Sequence, residues 1–98
     1  MKVLIENKET TLKLNEEKFV KYSDLLVSVI NKPIKESLSI NDMRRDLRVL
    51  DSIEKGLEMI ELEDTDIAYV KDEVKKSSWA IRHPDILAFA DYIDGLQG

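Results

Sequence analysis

The residues with the most chemical potential are one histidine, three clustered arginines, one tryptophan and a run of carboxylates. His83 is followed by Pro84 and Asp85, and Ser77 and Ser78 precede it by a few positions. A histidine that activates a nucleophile needs Ser, Cys or Thr within hydrogen-bond reach and an acid behind it. Nothing in this spacing fixes such a triad, and directly before proline the imidazole reads as a helix N-cap or a surface residue. Glu58, Glu61, Glu63, Asp64 and Asp66 form the densest charged run. A divalent cation wants several oxygens converging in a loop, usually with a glycine to fold the chain around the ion. There is no Asp-x-Asp-x-Asp-Gly here, and strand alternation sends Glu61 and Glu63 away from Ile60 and Leu62. Capping and solubility account for the cluster. With no glycine-rich loop either, neither a catalytic centre, a metal nor a cofactor is expected.

Arg44, Arg45 and Arg48 share one helix, and arginine reads phosphate and guanine well. Asp42, Asp46 and Asp51 interrupt the patch, and no second basic patch exists to follow a nucleic-acid backbone. Contact with a partner protein is the preferred reading of these arginines over nucleic acid, since arginine is enriched at interfaces. Trp79, the sole tryptophan, fits a plug at the edge of the core better than a binding anchor. The candidates for a partner surface, set beside those structural readings, are Arg44, Arg45, Arg48, Glu61, Glu63, Asp66 and Trp79.

The elements that must position these groups are legible in outline. At 98 residues, 43% hydrophobic and 36% charged, with three Gly and two Pro, the chain reads as one ordered domain over 1–98. Val3 and Ile5, then Leu12 and Leu14, alternate with polar positions around Asn7-Lys8. That pattern predicts an N-terminal hairpin over 2–6 and 10–14. Asn15 reads as the N-cap of a first helix running to Asn31, with Phe19, Tyr22, Leu26 and Val29 or Ile30 inward and Lys32-Pro33 as its stop. Ser39 or Asn41 opens a second helix through Lys55, closed by Gly56, with Met43, Leu47, Leu50 and Ile53 facing the core. Residues 58–63 form a further strand with Ile60 and Leu62 inward. Asp64-Thr65-Asp66 caps a third helix carrying Ile67, Val70 and Val74. Pro84 opens a fourth with Ile86, Phe89, Ala90 and Ile93, ended by Gly95. The expected fold is α+β: a small antiparallel sheet, made of the hairpin plus the strand near 58–63, packed with about four helices.

The stretch from Leu12 to Leu26 is echoed 48 positions later, each copy reading as strand, polar boundary and helix. Leu14/Leu62 and Asp24/Asp72 are the sole identities between positions 10–30 and 58–78. This is shared local grammar more than shared ancestry.

Charge narrows the function classes. Net charge is −5, yet residues 1–49 carry ten basic and eight acidic groups whereas 50–98 carry five and twelve. The acidic second half opposes counterion-release binding to nucleic acid and suits a basic partner protein. The absence of cysteine removes disulfides and thiolate chemistry and favours a reducing cytoplasm. Met1-Lys2 runs into Val3-Leu4-Ile5, whose apolar run stops at Glu6; this is no signal-peptide pattern, and no stretch is long enough for a membrane span.

The segment Ile60-Glu61-Leu62-Glu63-Asp64-Thr65-Asp66 through Trp79-Ala80-Ile81-Arg82-His83-Pro84-Asp85-Ile86, ending Phe89-Ala90-Asp91-Tyr92-Ile93, resembles small uncharacterised proteins of tailed bacteriophages. The resemblance covers about the last 40 residues and implies a virion or assembly component, or a binder of a host protein. The expectation is a non-enzymatic protein-interaction domain. An oligomeric assembly component would self-associate through an apolar surface including Leu4, Leu25 and Val27. The alternative is an acidic inhibitor, of host-targeting or immunity type, directed at a basic partner.

Overall fold

A computed structural model describes residues 2–13, 15–31, 38–79 and 82–96. The element order is β1 (Lys2–Glu6), β2 (Glu9–Lys13), β3 (Phe19–Lys21), α1 (Tyr22–Ile30), α2 (Ile40–Lys55), β4 (Met59–Glu63), α3 (Asp64–Lys76) and α4 (Pro84–Asp94). The fold class is α+β, with four helices and two small antiparallel sheets among the described residues.

The strand pairing differs from a hairpin. β1 pairs with β4, placing Val3 opposite Leu62 and Ile5 opposite Ile60, while β2 pairs with β3. Asn7 shows why. No described non-glycine residue has a positive φ, the conformation a two-residue hairpin turn needs at Asn7-Lys8. Asn7 is instead a junction. Its backbone N–H donates to Glu58 O (2.9 Å), its side-chain amide donates to Leu57 O (2.8 Å), and its Oδ1 accepts from Ser23 N–H (2.9 Å). The chain passes through this junction and β2 finds a different partner.

The first helix also starts later than the capping signal implies. Asn15 Oδ1 accepts from the N–H groups of Glu17 and Lys18 at 2.9 Å, so it closes a turn between β2 and β3. Phe19 then lies in a strand and is exposed, not on the buried stripe of a helix. The β2–β3 ladder is irregular between Glu9 and Lys13. There the buried Thr10 hydroxyl donates to Val20 O (2.7 Å) and accepts from Leu12 N–H (3.2 Å). The Lys32-Pro33 stop and Leu14 lie outside the described residues. The echo consequently weakens in three dimensions: Tyr22 and Leu26 match Val70 and Val74 as buried helical positions, but Phe19 and Ile67 occupy different elements.

The other boundaries follow their local signals. Ser39 Oγ accepts from Asp42 N–H (3.1 Å) to cap α2. His83 Nδ1 accepts from Asp85 N–H (3.1 Å) to cap α4, with Pro84 at its first position. One core joins the four helices with β1 and β4 around Ile5, Leu26, Val49, Ile53, Ile60, Leu62, Ile67, Val70, Phe89 and Ile93, and half-buried Val20 of β3 packs against it. Burying a side chain of this size contributes roughly 1.5–3 kcal/mol, so these positions dominate stability. Trp79 is half-buried and packs edge-on against Phe89, at 6.4 Å between ring centroids. No helix among the described residues is long and apolar enough to cross a membrane.

Candidate functional site

Arg44 and Arg45 diverge, because successive helix positions turn by roughly 100°, and Arg48, one turn after Arg44, reaches across to α3. Arg45 folds toward α3 and lies over the Tyr69 ring, 3.5 Å from its centroid. Its Nη1 is 3.3 Å from Asp42 and its Nε 3.8 Å from Asp46. The Tyr69 hydroxyl donates to Asp46. Burial, and then this hydrogen bond to a carboxylate, raise the Tyr69 pKa above the ordinary tyrosine range. Arg48 forks onto Asp66, with Nε donating to Oδ2 at 3.0 Å and Nη2 to Oδ1 at 2.7 Å. Asp66 is buried in the first turn of α3, where the helix dipole favours a carboxylate. The hydrogen bonds and charge of Asp66 raise the Arg48 pKa. Two of the three arginines thus form a polar seam tying α2 to α3, and only Arg44 remains on the outward side.

The other sequence candidates are dispersed. Glu61 is exposed on the outer face of the β1–β4 ribbon, 3.7 Å from Lys2 Nζ. Glu63 is exposed and stands at the N-cap of α3. The carboxylate run is therefore split between a solvated face and a buried fork. Among the described residues no three His, Cys, Asp or Glu side chains converge on one point. His83 is occupied as a helix cap. Asp85 accepts from the Thr11 hydroxyl (2.6 Å) and Thr11 N–H (2.8 Å), which together lower its pKa below the usual carboxylate value.

Of the α2 stripe that sequence reasoning placed inside, Ile53 is buried and Leu50 half-buried, but the other two positions are outside. Met43 and Leu47 were expected to face the core, yet they are 42% and 61% exposed, and Ile40 is 62% exposed. The core side of α2 is built from Val49 and Ile53, flanked by half-buried Asp42, Arg45 and Asp46. Ion pairs, the Tyr69 ring and the Asp66 fork let the polar side of α2 turn toward α3, which rotates the longer apolar stripe into solvent. The missed signal lay in Val49, which stands four residues before Ile53 and makes an apolar pair with it at helical spacing. Of the apolar surface expected at Leu4, Leu25 and Val27, Leu4 and Val27 are exposed and Leu25 is buried. Met59, Leu57 and Leu87 add isolated exposed apolar side chains.

The site with the most coherent chemistry is accordingly the outward face of α2: Ile40, Met43 and Leu47, continued by half-buried Leu50 and flanked by Arg44, Asp51 and Glu54. Such a face offers desolvation and orientation, not bond making. Comparison with protein-family models, curated proteins and solved structures gives no match to this chain.

Proposed function

We propose that this chain is a non-enzymatic protein-interaction domain whose binding element is the outward face of α2. The observation that carries this reading is the exposed row Ile40, Met43 and Leu47, on the side of the helix opposite buried Val49 and Ile53. Isolated exposed apolar residues are ordinary, whereas an aligned row on one helix marks a surface that gains free energy when covered. Residues 40–55 carry equal numbers of acidic and basic side chains, so this face is not acidic. That favours an assembly component, the role suggested by the resemblance to tailed-phage proteins, over an acidic inhibitor.

Leu47→Asp is the direct test, since the side chain is exposed and the variant should fold. Complexes formed by the wild type, with itself or with proteins co-expressed from its own locus, should weaken at least tenfold while the thermal midpoint stays within about 2 °C. Unchanged complexes in L47D, or none with the wild type, would exclude this face as the binding element.

A further inference from the structure

We infer that the occupant of this face is a second copy of the same chain, its α2 packed antiparallel across a twofold axis. The inference rests on the interaction reading above and deepens it by naming the partner.

Ile40, Met43, Leu47, Leu50 and Glu54 follow one another at intervals of three, four, three and four residues. This is the spacing of positions a and d in a helix pair that packs knobs into holes. The row ends in Glu54, whose stem is apolar although its head is charged. Beside it, on the flank that such a pair uses for charge contacts, stand Arg44 and Asp51. They are seven residues apart, equivalent in position and opposite in sign.

Charge order then fixes the direction. In a parallel twofold pair this flank of one copy faces the opposite flank of the other, which would set Asp51 near Asp46 and leave Arg44 beside Ser39 with no acidic partner. Turning one helix around puts the two copies of this flank on the same side of the pair and brings Arg44 within side-chain reach of Asp51 of the second copy, and the symmetry makes that contact twice. The same offset sets Leu47 against Leu50 of the second copy on both sides of the axis. It sets Met43 beside the stem of Glu54 and brings Ile40 to the end of the other helix, where exposed Leu57 follows the Gly56 cap. One register satisfies the apolar row and the charges together.

The flanking groups are available for it. Among the described residues neither Arg44 nor Glu54 has an ion-pair partner. Asp51 pairs with Lys55, at 3.0 Å between largely exposed side chains, a surface pair that exchanges readily. Two to three turns of helix form a small interface, so the dimer belongs to the weak class with dissociation in the micromolar range. The salt dependence of an exposed charge contact should be visible in it.

The test is a charge exchange read by sedimentation velocity from about 1 to about 500 µM, at low and high salt. Wild type should pass from monomer to dimer, more weakly at high salt. R44E and D51R should each raise the dissociation constant at least tenfold, and the double variant R44E/D51R should return it to within about threefold of wild type. Thermal midpoints of all four proteins identify any loss of folding. A wild type that stays monomeric throughout overturns self-pairing; if L47D-sensitive complexes with another protein persist, the interaction reading stands without it. Single variants that weaken the dimer with no rescue in the double variant overturn the antiparallel register.

Discussion

Arg48 and Asp66 show how unequal the two ends of one contact are. The Asp66 side chain is 5% exposed and the Arg48 side chain 54%, so the carboxylate has been desolvated and the guanidinium largely has not. Removing Asp66 lets Arg48 return to water and should cost about 1–2 kcal/mol through the lost hydrogen bonds. Arg48→Ala instead strands a buried carboxylate, and should lower stability by more than Asp66→Ala does. Arg48→Lys keeps the charge without the planar fork and should fall between wild type and alanine. Urea denaturation of the three variants measures the order. If Arg48→Ala proves the milder change, the pair is a surface contact and not a clamp between α2 and α3. The sequence marked both residues as interaction candidates because it showed charge and type. It did not show that 18 positions apart they would consume each other.

The junction of α2 with β4 depends on a residue without a side chain. Gly56 ends α2 in extended geometry, so its role is not a left-handed cap. A Cβ placed there would lie 2.8 Å from both Ile60 Cγ1 and Met59 O, and 2.9 Å from Ile60 Cα. Gly56→Ala must therefore push the helix end from the strand, at a cost of about 1–3 kcal/mol, typical of overpacking. Its measure is the shift in urea midpoint with an unchanged slope. A neutral or stabilising alanine would mean that the helix end yields freely. Glycine as a helix stop was legible at this position, but the physical reason for it, crowding by a strand that follows in the chain, was not.

Across the whole molecule, α4 joins two sheets that share no strand. Near its start Asp85 accepts from Thr11 on β2, and near its end the Tyr92 hydroxyl accepts from Glu6 N–H (2.8 Å) on β1. Both contacts occupy backbone donors of strands that would otherwise be open edges. The Thr11 hydrogen bonds hold the folded pKa of Asp85 below its ordinary value. Its contribution to stability is then fully present above that ordinary value, near 3.8, and is lost as pH falls through the lower folded value. Asp85→Asn should be less stable than wild type at pH 7, and the gap should close below about pH 4. Thermal melts from pH 7 to pH 2 test this, and a gap that widens in acid would contradict the sign.

The sequence by itself determined four helices in outline, most of the strand positions, helix starts near Ser39 and at Pro84 and the α+β class, because these follow from periodicity and from side chains reaching only a few residues. Tertiary structure alone decided which strands pair, since alternation names a buried face but not a partner. It decided which arginines are spent on α3 and which is left outside. It also decided which of two apolar stripes on α2 the core would take. Val49 and Ile53 lie on the side where Asp46 and Arg48 meet Tyr69 and Asp66, and only that rotation buries apolar and satisfies polar groups together. The row Ile40, Met43 and Leu47 was left to the solvent, and to whatever covers it.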